Sequence, residues 1–178
     1  MANKSSEFEY RITFISHLRQ AYTAIFIIAP LPIMYYLGVY DIGPAQSAAI
    51  LITVPPLVLA LLFHLVLHAQ YSIVNRNTVL KISKNKEKLT IITGNSEFEL
   101  YSKDVSAYEI YLPKSINRKS VGMFPWDEYF YTKIKMKCGG VVYITSLLYP
   151  DVEVFSNSNK AVINESNYSF VRCNEIGL

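Results

Sequence analysis

Charge is what this sequence has least of where it matters most. Between Ala21 and Leu67 a single charged residue, Asp41, interrupts the chain, whereas residues 70–178 hold 14 of the 17 Lys and Arg and 11 of the 14 acids. Such an uneven split excludes an ordinary soluble domain and implies a membrane part joined to a polar part. Cysteine is nearly missing as well. The two present, Cys138 and Cys173, form no CxxC or His-flanked arrangement, which excludes a disulfide framework and a zinc site and fits a reduced compartment. All three histidines fall at or before His68, so the polar part lacks any Cys–His or Ser–His dyad. No glycine-rich phosphate loop occurs, "TGNS" and "CGGV" being turn sequences, and acid pairs such as Glu97/Glu99 and Asp127/Glu128 lack a metal-ligand pattern. These absences speak against an enzyme, a metal centre and a bound cofactor. A formal net charge of +3 gives no basic stripe for DNA or RNA.

Two apolar runs are present, "AYTAIFIIAPLPIMYYLGVY" (Ala21–Tyr40) and Ser47–Leu67, each matching the roughly 20 residues that cross a hydrocarbon core. A signal peptide is a poor account of the first, because a second run follows after the short link "DIGPAQ". Together they predict an antiparallel two-helix transmembrane hairpin over residues 21–68, preceded by a cytoplasmic segment, 1–20. Lys4, Arg11 and Arg19 stand before the hairpin and Arg76, Lys81, Lys84, Lys86 and Lys88 after it, with none in the link. The positive-inside bias then puts both termini in the cytoplasm of a multi-pass inner-membrane protein, with Tyr35, Tyr36 and Tyr40 in the outer aromatic belt. Pro30 and Pro32 in the first run and Pro55 and Pro56 in the second predict bends at matched depth. His64 and His68, one helical turn apart, read as interfacial imidazoles rather than a metal pair.

After Gln70 the apolar period changes to two. Thr78–Ser83, Lys88–Thr93, Ser96–Tyr101, Val105–Leu112, Tyr129–Lys137, Val141–Leu148 and Tyr168–Cys173 read as strands, with Tyr71–Asn75 as an eighth at the start and Asp151–Lys160 as a short helix. The expected architecture is a membrane-anchored all-β protein whose residues 69–178 form a small antiparallel β-barrel of about eight strands. In "YFYTKIKMK", Phe130, Thr132, Ile134 and Met136 point inward, and Tyr129, Tyr131, Lys133, Lys135 and Lys137 form a solvated outer face. The irregular stretch Pro113–Glu128 carries Lys114, Arg118 and Lys119 beside the single Trp, Trp126. This loop reads either as a phosphate and base site or as a solvated loop with Trp126 plugging the barrel mouth.

Two short spans followed by a β-rich domain of about a hundred residues resemble the two-transmembrane β-barrel effectors of bacterial CBASS anti-phage signalling. That resemblance implies a barrel that senses a cyclic dinucleotide and a ligand-induced homo-oligomer that disrupts the membrane lipid. By residue type it assigns ligand roles to Tyr108, Tyr131, Thr132 and Arg172. A second resemblance competes with it. "FYTKIKMKCGGVVYITSLLYPD" is similar to the closing hairpin of bacterial pleckstrin-homology-like domains, which are often tethered by two spans and act as protein or lipid interaction modules. On that reading Leu147–Asp151 would begin a capping helix.

Overall fold

Five residues of alternating charge and aromaticity, "EFEYR", open the architecture. A computed structural model describes residues 7–28, 44–118, 124–155, 161–167 and 169–171. In it Glu7–Arg11 forms β1, followed by helix α1 (Phe14–Ile28) and helix α2 (Pro44–Val74). Strands β2 (Thr78–Ser83), β3 (Lys88–Thr93), β4 (Ser96–Tyr101), β5 (Val105–Pro113), β6 (Tyr131–Met136), β7 (Val141–Thr145) and β8 (Ala161–Ser166) complete it, with a four-residue helix α3 at Lys114–Asn117.

The strands build two four-stranded sheets, ordered β1-β2-β3-β4 and β7-β6-β5-β8. Among the described residues no ladder joins one sheet to the other, so the expected closed barrel is corrected to an open two-sheet sandwich. The turns explain why β2 to β4 are simple hairpins. Lys86 and Gly94 take positive φ in the two tight connections, and Gly139 does the same between β6 and β7. Strand β1 pairs antiparallel with β2, Glu7 opposite Ser83 and Arg11 opposite Val79, so both helices are an insertion between two neighbouring strands of one sheet. Strand β8 lies parallel to β5, Tyr108 opposite Ala161 and Pro113 opposite Ser166.

Three expected elements are corrected. Tyr71–Asn75 is not a strand: α2 runs on to Val74, because Tyr71 and its neighbours find their burial as a helix face. The last strand is Ala161–Ser166, while 169–171 of the expected Tyr168–Cys173 run is irregular. Residues 151–155 hold no helix, and the remainder of that expected helix lies outside the described residues. So do Pro30, Pro32, Tyr35, Tyr36, Tyr40 and most of the first apolar run. Pro55 and Pro56 sit inside α2, exposed, and helical structure continues through them.

The sandwich interior collects alternate residues of both sheets, including Leu80, Ile82, Leu89, Leu100, Tyr108, Ile110, Leu112, Ile134 and Ile144. A second core lies on the opposite face of the β5–β7 sheet. There Tyr129, Tyr131, Tyr143 and Leu147 pack against Leu67 and Tyr71 of α2 and against Val171. This corrects the solvated face expected for Tyr129, Tyr131 and Lys133. Tyr131 is 2% exposed, and Lys133 is buried with its Nζ 5.9 Å from the centroid of the Tyr143 ring. Only toward the strand end does the face reach solvent. There Lys135 Nζ lies 2.8 Å from Glu109 Oε1, and the Tyr111 hydroxyl donates to Glu109 Oε2 at 2.7 Å.

Lys135, with help from Tyr111, holds the Glu109 carboxyl below the usual carboxylate range. A carboxyl lowered on folding stabilises the native state above its unfolded pKa, and that contribution is lost as pH falls through the folded value. Glu109→Gln should therefore flatten the acid-side fall in melting temperature between about pH 5 and about pH 3. Differential scanning fluorimetry across that window checks it; an acid limb identical to the parent's would remove Glu109 from the account.

Candidate functional site at the helix–sheet junction

The densest polar and aromatic chemistry gathers where α1 and α2 meet the second core. All three histidines converge there. His17 Nδ1 lies 2.8 Å from His68 Nε2, and His68 Nδ1 lies 2.6 Å from the Tyr129 hydroxyl. His64 stacks on His68 at 6.0 Å and meets Tyr129 edge-on at 5.4 Å. With one proton per ring the His17–His68–Tyr129 chain is satisfied; two imidazolium rings would set like charges nitrogen to nitrogen. Burial raises the Tyr129 hydroxyl above the usual phenol range, the Glu128 carboxylate adding to it, so this tyrosine stays a neutral partner.

Further bonds lock both helices to the sheet. Arg19 Nη2 donates to Ser146 O at 3.0 Å and Gln20 Nε2 to Ser146 Oγ at 3.3 Å. The Tyr71 hydroxyl donates to Ser169 O at 2.7 Å. Gln70 makes a two-way pair with the Val171 backbone, donating to its carbonyl at 2.8 Å and accepting from its N–H at 3.1 Å. Asn75, just past the end of α2, donates to Tyr143 O at 2.9 Å and accepts from Thr145 N at 2.9 Å and Thr145 Oγ1 at 2.7 Å. Bonds of this number make the junction a rigid mount. Among the described residues no group of three His, Cys, Asp or Glu is placed to hold a metal ion.

The residues assigned to a ligand are dispersed. Tyr108 is 4% exposed inside the sandwich, where its hydroxyl donates to Val152 O at 3.2 Å and accepts from Val154 N at 2.9 Å. It pins the segment after β7, and burial raises its pKa. Thr132 is buried on the same inner face, whereas Tyr131, next to it in the strand, points to the other face and stacks on Tyr111 at 4.6 Å. Adjacent residues of a strand project to opposite sides, so Tyr131 and Thr132 do not share one ligand. Arg118 is exposed after α3. Trp126 lies against Phe63 of α2 at 5.1 Å, which corrects its role as a plug over the mouth of a barrel. Lys119 and Arg172 lie outside the described residues.

The joint itself was partly missed by sequence reasoning. His17 stood alone in the N-terminal segment, and no local pattern pairs it with His68, which lies 51 residues further along the chain. Asn75 has the signal of a residue at a helix C-terminus, where asparagine is common, but not that of a clamp on a distant strand.

A two-sheet sandwich with a helical insertion after its first strand is a small β module built on a membrane-type helix. The chain matches the PH domain family over residues 9–156, most of its length, and belongs to that family. The match starts within β1 and ends beside Phe155, so the helices fall inside it and β8 lies beyond it. Neither the curated proteins nor the solved structures contain a match. Of the two resemblances drawn from the sequence, the PH-like one is supported, and the CBASS effector family is not.

Proposed function

We propose that this protein is a membrane-tethered PH domain that acts as a non-catalytic interaction module for protein or lipid at the cytoplasmic face of the inner membrane. The carrying observation is α2. It runs 31 residues without an Asp, Glu, Lys or Arg, inside the span of the family match. Its stretch Val54–Val74 is, among the described residues, the one helix long and apolar enough to cross a membrane. Basic residues flank the insertion at Arg11, Arg76 and Lys81, which supports a cytoplasmic β unit.

The interaction reading rests on family membership together with the sheet face that the helices leave uncovered. That face, across β1 to β4, is charged: Lys88 Nζ bridges Glu99 at 2.6 Å and Glu7 at 4.0 Å. Among the described residues nothing in the geometry favours a cyclic dinucleotide or ligand-driven assembly. A reporter enzyme fused after Leu178 should be active in the cytoplasm, and the fusion should stay with membranes through alkaline carbonate and leave them only in detergent. Release by carbonate, or a periplasmic reporter, would overturn the tether.

A further inference from the structure

Helix α2 is longer than a hydrocarbon core requires. Its 31 residues span about 46 Å at ~1.5 Å per residue, close to the ~40–45 Å of a bilayer with its headgroup layers. The sequence boundary at Leu67 therefore falls short of the apolar surface. Outward-facing Leu65, Val66 and Ile73 of α2 are 60%, 59% and 70% exposed. On α1, Phe14, Ile15 and Leu18 are 79%, 74% and 47% exposed. The one charge on α1, Arg19, is turned inward to Ser146 O. Charged side chains first reach the surface at Arg11 before α1 and Arg76 after α2. Two neighbouring helices thus keep an uncharged face all the way down to the level where both meet the sheet.

The turn Phe124–Glu128 packs farther up the helices, beside Phe63. Phe124 stacks flat on Trp126, ring centroids 4.7 Å apart and planes 3° from parallel, and Trp126 meets Phe63 edge-on. Phe63 stands 11 residues before the end of α2, about 16 Å up the helix. Phe124 is 50% exposed there. Phe63 also belongs to the apolar run that matches a membrane span, so any ring packed on it shares its depth.

We propose that the Phe124–Glu128 turn, with the outward faces of α1 and α2, inserts into the cytoplasmic leaflet, so that the β unit lies against the bilayer. The occupant of this uncharged face is lipid, because the face is continuous with the membrane helix and ends where Arg11 and Arg76 can meet headgroup phosphates. This placement rests on the tethered reading given above. The acids of the turn are accommodated. Asp127 Oδ2 accepts the Phe124 N–H at 3.1 Å, and Glu128 bonds the Tyr22 hydroxyl of α1. Burial raises the Glu128 carboxyl, as a low-dielectric setting requires.

Trp126 is the chain's one tryptophan, so emission excited at the red edge of the absorption band, where tyrosine does not absorb, reports this turn alone. The protein is reconstituted in phosphatidylcholine–phosphatidylglycerol vesicles whose acyl chains are brominated near the glycerol or near the methyl end. Shallow-brominated lipid should remove most of the emission, deep-brominated lipid less, and aqueous iodide almost none. Emission that iodide quenches and brominated lipid spares, in protein that still floats with the vesicles, overturns insertion and leaves the tether standing. Protein that does not float overturns both. Emission that brominated lipid reaches only after dilution of the protein in lipid overturns the proposal in favour of a second copy covering the rings. Emission insensitive to both quenchers at every dilution also overturns it.

Discussion

Asn75→Leu should lower unfolding stability by about 3–5 kcal/mol, a large share of the ~5–15 kcal/mol that holds a typical domain. Asn75 is 4% exposed and stands beside β7, the edge strand of its sheet. Its side-chain amide does there what a neighbouring strand would do, donating to one backbone carbonyl and accepting from one backbone N–H two residues on. Leucine fills similar volume but removes the amide partner of Tyr143 O and Thr145 N in a buried setting, at about 1–3 kcal/mol each. Thr145→Val removes only the hydroxyl partner of the same network and should cost about 1 kcal/mol. Denaturant unfolding of the detergent-solubilised full chain reads both. If Asn75→Leu costs no more than Thr145→Val, the amide is not a strand substitute.

Tyr71→Ala should be comparably severe, at about 3–5 kcal/mol for loss of a large buried ring. Tyr71 is fully buried, meets Tyr129 edge-on at 5.1 Å and Tyr131 at 6.5 Å, and donates its hydroxyl to Ser169 O. Without the ring the second core loses its centre, and the segment Ser169–Val171 loses the Tyr71 bond to α2 while keeping the Gln70 pair. Limited proteolysis should therefore cut Tyr71→Ala near Ser169 well before the parent. Tyr71→Phe keeps the packing and strands only the Ser169 carbonyl, so about 1–2 kcal/mol is expected. Equal protease resistance in the alanine variant and the parent would mean that the segment is held elsewhere.

Strands β2 to β5 were legible because their alternation is local. "TVLKIS" alternates buried with half-buried residues whatever else the chain does. Strand β1 has the same alternation in "EFEYR" but is separated from its partner by two helices. Sequence proximity assigned it to a tail, and only the β1–β2 register reveals the insertion. "YSIVN" has a strand's composition, yet it continues a helix already in progress, and the packing of Tyr71 on Tyr129 and Tyr131 overrides local preference.

The ligand set is dispersed for a different reason. Aromatic, hydroxyl and Arg residues were gathered by type, while the pleat sends Tyr131 and Thr132 to opposite faces and two separate cores bury them. That the outer face of β6 was a core at all depended on α2 folding back over it. Alternation within one strand carries no signal of a cover supplied from elsewhere in the chain. The Lys row was read correctly only at its uncovered end, where Lys135 pairs with Glu109.

The β1–β2 ladder also constrains how the chain can be threaded through a bilayer. Five residue pairs, from Glu7–Ser83 to Arg11–Val79, bring together stretches that lie on either side of both helices. Hydrogen-bonded neighbours must be in the same compartment. On the tethered reading, the chain between Arg11 and Val79 therefore crosses the membrane an even number of times, a rule of parity that owes nothing to the count of lysines and arginines. A molecule with one crossing too few would leave β1 and β2 on opposite sides, and its first sheet would lack an edge. On that reading, a complete first sheet is incompatible with any odd number of crossings, and a molecule whose membrane segment has gone out must also have come back before β1 can join β2.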